Sequence, residues 1–80
     1  MIKFVWGGVT VTAESILDAI DHPTKTITTN RGKYQYLLST NSKDEAEDAT
    51  FKLHNYLGFR AIKRKVSTTQ WDIYVARKWV

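Results

Sequence analysis

The chain of 80 residues contains no cysteine, so disulfides and zinc–thiolate sites are excluded. One proline and four glycines leave no low-complexity segment and no linker. No apolar run approaches a membrane span, and the N-terminus, MIKFVWGG, is too short for a signal peptide. A soluble, cytoplasmic protein of cellular or viral origin is the expectation. Histidine is nearly absent too. His22 and His54 stand apart, with no second ligand at metal-binding spacing, so no metal site is expected. Acid is missing from the C-terminal end, where from residue 49 onward seven bases stand against Asp72 alone.

Apolar content is 42%, enough for a folded core. A chain this short forms one domain, residues 1–80, and buries only about 60% of the surface its unfolded form exposes. Little is left over for a deep substrate cavity. Ser, His and Asp are present, but nothing in the sequence draws them together, and no glycine loop is built to cradle phosphate. No catalytic residue, no cofactor and no enzymatic activity are expected. The net charge of +4 is unevenly spread. Lys3 faces Glu14, Asp18 and Asp21 in the first part. A basic stretch follows with Lys25, Arg31, Lys33 and Lys43, then the acids Asp44, Glu45, Glu47 and Asp48, then the basic end. Such asymmetry favours a polyanionic partner.

Residues 2–6, IKFVW, alternate and are rich in strand formers. Gly7 and Gly8 then make either a two-residue turn or a bulge before VTV. Thr12 is an N-cap for TAESILDAID, whose Ile16, Leu17 and Ile20 share one face, and Pro23 stops that helix. KTITT and KYQYLLST flank Asn30, Arg31 and Gly32 as a hairpin with a left-handed glycine. Ser42 with Glu45 three residues on is a capping box, and its acids sit at the positive end of the helix dipole. Ala46, Ala49, Leu53, Tyr56 and Leu57 line one stripe, and Gly58 before Phe59 is a C-terminal cap. A last hairpin turns at Thr68 and Thr69. With Val66 opposite Trp71, Lys65 faces Asp72 and Lys63 faces Tyr74. Trp71, Ile73, Val75, Ile62 and Val66 then share the buried face, with Lys63, Lys65, Tyr74 and Lys78 on the other. In this register Arg64 falls on the apolar side, tolerable only near the sheet edge.

The resulting order is β-α-β-β-α-β-β. That predicts an α+β fold of the ferredoxin-like, split βαβ type, β-α-β-β-α-β with an extra C-terminal strand, its antiparallel sheet carrying both helices on one face. With this order the chain resembles the RNA-recognition-motif family. The third-strand stretch is Arg31-Gly32-Lys33-Tyr34-Gln35-Tyr36-Leu37, and the first-strand stretch is Lys3-Phe4-Val5-Trp6-Gly7-Gly8. Lys33 is one residue more than the family pattern has before its aromatics, and Gln35 stands in place of a small residue. The resemblance implies that Phe4, Tyr34 and Tyr36 form a platform on which bases stack. It also implies that Arg31, Lys33, Lys63, Lys65 and Lys78 follow the phosphates.

Each candidate also has a structural reading. Tyr34 and Tyr36 at i, i+2 suit a strand packing one face, with Leu37 as the alternative core residue. Phe4 and Trp6 share a parity and cannot be told from core. Lys63, Lys65 and Lys78 suit edge protection, which deters sheet-to-sheet pairing. Tyr74 among them gives the interleaved base and aromatic of a single-strand-binding surface. Phe51 lies off the apolar stripe, so it either covers a loop or anchors a protein partner. The reading is a non-enzymatic module that binds single-stranded nucleic acid through an open sheet face and a basic C-terminal hairpin. The alternative is a protein–protein module of the phage accessory or inhibitor kind, which binds a host protein.

Overall fold

A computed structural model of the chain describes residues 3–77. Two glycines decide its first element. Gly7 and Gly8 both take positive φ, +58° and +77°, which is what a two-residue turn needs if its twist is to match the strands it joins. The chain therefore folds back at once, and β1 (Phe4–Trp6) pairs antiparallel with β2 (Val9–Val11) as a separate two-stranded sheet. Helix α1 (Ala13–Asp21) starts from a reciprocal capping box. The Ser15 amide donates to Thr12 Oγ1 (3.2 Å) and the Thr12 amide donates to Ser15 Oγ (2.9 Å). The His22 amide closes the last turn on the Asp18 carbonyl just before Pro23.

The strands β3 (Thr26–Thr29) and β4 (Gly32–Thr40) form the second hairpin. Its turn is held by Thr29 Oγ1, which accepts from the Arg31 amide (3.1 Å) and donates to the Gly32 carbonyl (3.0 Å). Helix α2 (Lys43–Asn55) begins where Ser42 Oγ accepts from the Glu45 amide (3.4 Å). The return half of that capping box is not made, because Glu45 Oε1 accepts instead from the Gly7 amide of the N-terminal turn (3.1 Å). Gly58, at φ +77°, ends the region, and the Phe59 amide donates to the Leu53 carbonyl (2.9 Å) as its ring enters the core.

Strands β5 (Arg60–Ser67) and β6 (Gln70–Ala76) complete a four-stranded antiparallel sheet in the order β3-β4-β6-β5. The element order is thus β-β-α-β-β-α-β-β, which corrects the ferredoxin-like expectation. The first strand is used up in its own hairpin rather than joining the main sheet. The last strand, expected as an appendage, lies inside the sheet between β4 and β5.

One face of the sheet carries both helices. Ile16 of α1 and Ala46, Ala49 and Leu53 of α2 pack with Leu38, Phe59, Ile73 and Val75, and the N-terminal hairpin adds Trp6 and Val11. The opposite face holds a second, smaller cluster of Tyr34, Tyr74 and Ala76 flanked by Ile27, Tyr36 and Ile62. Two bulges divide residues between these faces. In β4 the register shifts between Tyr36 and Leu38, so that Leu38 joins the helix side although Tyr34 and Tyr36 face away from it. In β5 it shifts between Lys65 and Ser67. Ser67 lies opposite Gln70, as the Thr68–Thr69 turn predicts, but beyond the shift Lys65 pairs with Trp71, Arg64 with Asp72, Lys63 with Ile73 and Ile62 with Tyr74. A one-residue slip turns every later side chain over. The expected pairings of Val66 with Trp71, Lys65 with Asp72 and Lys63 with Tyr74 are therefore replaced.

The N-terminal turn is seated too closely to admit a side chain at its first position. A Cβ added at Gly7 would lie 2.1 Å from the backbone oxygen of Ser39, whereas one at Gly8 meets nothing within 4 Å. Gly7→Ala therefore costs about 2 kcal/mol or more, from strain plus displacement of the hairpin. Gly8→Ala costs only the left-handed conformation, about 1 kcal/mol. Urea unfolding of the two variants measures the difference, and equal losses would disprove the close seating.

Candidate functional site

The tyrosine face is assembled by alternation along β4 and β6, with Tyr36 opposite Tyr74 and their rings edge to face at 5.8 Å and 77°. Asp72 and Ser39 are the next cross-strand pair on this face. Ser39 Oγ donates to Asp72 Oδ1 (2.6 Å), and Gln70 Nε2 donates to the same oxygen (3.2 Å). A carboxylate only accepts, so the Ser39 proton is committed to Asp72 and the Tyr36 hydroxyl donates to Ser39 Oγ (2.6 Å). Arg60 lies across the other end, its guanidinium 5.5 Å from the Tyr34 ring centroid. Its Nε donates to the Arg77 carbonyl (2.7 Å) and its Nη1 to the Arg31 carbonyl (3.0 Å), tying β5 to the end of β6 and to the β3–β4 turn.

The consequence for stacking is direct. Tyr34 and Tyr74 are each only 2% exposed, and a ring so enclosed offers no free plane to a base. Phe4 is not on this face at all. It sits in β1 against α2, stacked on Trp6 at 5.1 Å, with Lys52 Nζ 5.2 Å from its centroid. The structure therefore does not bring Phe4, Tyr34 and Tyr36 together as one platform. Lys33, opposite Thr28, belongs by alternation to the face away from Tyr34. Arg31 lines a recess of about 300 Å³ with Tyr34, His54, Arg60, Ala61 and Ile62. Lys78 lies outside the described residues.

A different basic surface forms along β5, the outermost strand beside β6. Lys63, Arg64 and Lys65 are all exposed. Lys63 and Lys65 share the helix-bearing side with Ile73 and the half-buried Trp71, and Lys65 Nζ lies 6.0 Å from the Trp71 ring centroid. Arg64 takes the other side, with Arg60 and Ile62. The aromatic beside the lysines is thus Trp71 and not Tyr74. Sequence reasoning missed Trp71 and Arg64 as members of this edge. The signal was Arg64 itself, a charge that the straight register left on the apolar side.

Phe51 on α2 and Tyr56, the C-cap of that helix, are 57% and 59% exposed, their rings edge to face at 6.2 Å. A second recess, about 290 Å³, lies between α1, β2 and β4 and includes Ser15, Asp18, His22 and Tyr36 in its lining. Among the described residues no three of His, Cys, Asp or Glu come together to hold a metal ion, and no helix is long and apolar enough to cross a membrane. No family model, curated protein or solved structure matches the chain.

The Tyr36–Ser39–Asp72 chain is a structural element and its removal is measurable. Ser39→Ala leaves the nearly buried Asp72 with Gln70 as its remaining side-chain donor and costs about 1–3 kcal/mol, whereas Tyr36→Phe costs about 0.5–1.5 kcal/mol. The double variant loses less than the sum, because both changes break one network. Thermal or urea denaturation of the three proteins tests this, and strict additivity would contradict it.

Proposed function

We propose that the chain is a non-enzymatic module that binds single-stranded nucleic acid along the basic outer strand β5, with phosphates running beside Lys63, Arg64 and Lys65. The observation that carries this reading is the exposure of these three bases in succession on an edge strand, with Trp71 directly across from Lys65. Successive residues of a strand point to opposite sides, so the bases straddle the edge rather than crowd one face. A single strand laid along that edge meets cationic side chains on both flanks. The half-buried Trp71 ring, now partnered by the Lys65 ammonium, supplies an apolar surface for one base once that ammonium turns to a phosphate. Bases crowd a sheet edge for solubility as well, and the experiment separates the two roles.

A short, labelled, mixed-sequence single strand is titrated by fluorescence anisotropy at increasing salt. Three phosphate contacts give a slope of about −2 in log affinity against log salt. Replacing Lys63, Arg64 and Lys65 together with glutamine reduces affinity tenfold or more, ~1.4 kcal/mol per tenfold step, and flattens that slope. Tyr34→Phe leaves binding unchanged. Unaltered affinity in the triple variant would refute the proposal.

A further inference from the structure

Phe51 stands at the outer pole of α2, on the side opposite the buried Ala46, Ala49 and Leu53. Nothing in the core requires it. In a chain with so little apolar residue to spare, two aromatic side chains more than half exposed and touching each other are an unpartnered surface. The pair is also held in place. Tyr56 packs on Phe4 (6.2 Å), Phe4 stacks on Trp6 (5.1 Å), and Trp6 Nε1 donates to Asp48 Oδ2 (3.0 Å), so a ladder of rings runs from the exposed Phe51 to a hydrogen bond on the same helix. A surface ordered before binding loses less entropy on association.

The charge around the pair identifies what it suits. Asp44, Glu47 and Asp48 lie one to two turns before Phe51 on the same outer stripe. Lys43 reaches Glu47 only at 4.0 Å with both side chains about half exposed or more, and Lys52 pairs with Asp48 at 3.2 Å. The stripe therefore presents carboxylates beside an aromatic anchor. We infer that Phe51 and Tyr56 form a docking site for a protein segment that is both basic and apolar, a helix or extended peptide placing an aliphatic side chain on the rings and lysine or arginine along Asp44 and Glu47. This surface is separate from the β5 edge, and its partner is the opposite of a nucleic acid in charge.

The probe is a synthetic helical peptide of leucine and lysine patterned to present one apolar face, compared with a matched peptide carrying glutamate in place of lysine. Titrated into the isotope-labelled protein, the leucine–lysine peptide shifts the amides of Phe51, Asn55 and Tyr56 and binds at least tenfold more tightly than its acidic counterpart. Phe51→Ala weakens it about tenfold, and the Asp44→Asn, Glu47→Gln double variant weakens it severalfold and lowers its salt dependence. Both replacements sit on exposed positions, and unchanged thermal unfolding confirms that the fold is retained. Equal affinity for the two peptides, shifts confined to β5 and β6, or full binding by Phe51→Ala would each overturn the inference. So would a concentration-dependent dimer in sedimentation that Phe51→Ala abolishes, since a second copy would then be the occupant.

Discussion

The constraint on which the rest depends is the placement of β6 inside the sheet. Asp72 to Ala76 are buried without interruption, although side chains alternate between two faces. Ile73 and Val75 are covered by the helices, while Asp72, Tyr74 and Ala76 face the side where no described helix lies. An antiparallel sheet with one face solvated ordinarily shows an apolar and polar alternation. Here the second face is apolar as well and closes with its own long side chains, the tyrosines over one another and Arg60 over Tyr34. A carboxylate at such a place is tolerable only with its hydrogen bonds made, and Ser39 and Gln70 make them. The tyrosines belong to a structural second core, which leaves the exposed bases on the outer strand β5.

The acids at the start of α2 have a task that helix-level reasoning does not foresee. Capping and the dipole account for acid in a first turn in general. In this chain Glu45 accepts from the Gly7 amide and Asp48 accepts from the Trp6 indole, so the same carboxylates fasten the N-terminal hairpin to the helix. That fastening lets a three-residue strand pair, too short to stand alone, contribute Trp6 and Val11 to the main core. Asp44 and Glu47, which take no part in that fastening, face solvent on the outer side of the helix.

Much of the local structure was legible because its signals are local. Thr12, Pro23, Ser42 and Gly58 mark both helices, and the turns before Gly32 and at Thr68–Thr69 fall where the punctuation puts them, whereas Gly7–Gly8 left turn and bulge both open. The topology was not legible. A short apolar run such as Phe4 to Trp6 carries no mark of which strand it will pair with, and a glycine pair that permits a turn also permits a bulge. Facing on β5 was lost for a related reason, while Trp71, Ile73 and Val75 lie on the buried side and Tyr74 on the other, as read. Period-two reasoning assumes an unbroken register, and the shifts beside Leu37 and Val66 reverse it. The turn of the last hairpin was placed correctly and its pairings still failed, because one bulged residue lies between the turn and the lysines. Phe51 was legible as an oddity, since an aromatic off the stripe needs only the helix period to be noticed.

The bulge in β5 also changes what the net charge means. Seven of the eight acids lie on the two helices, and Asp72, the eighth, is consumed inside the sheet. The bases Lys63, Arg64 and Lys65 lie together on the outermost strand. An overall charge of +4 describes neither surface. The outer face of α2 carries carboxylates and the β5 edge carries bases, so each surface has its own local sign.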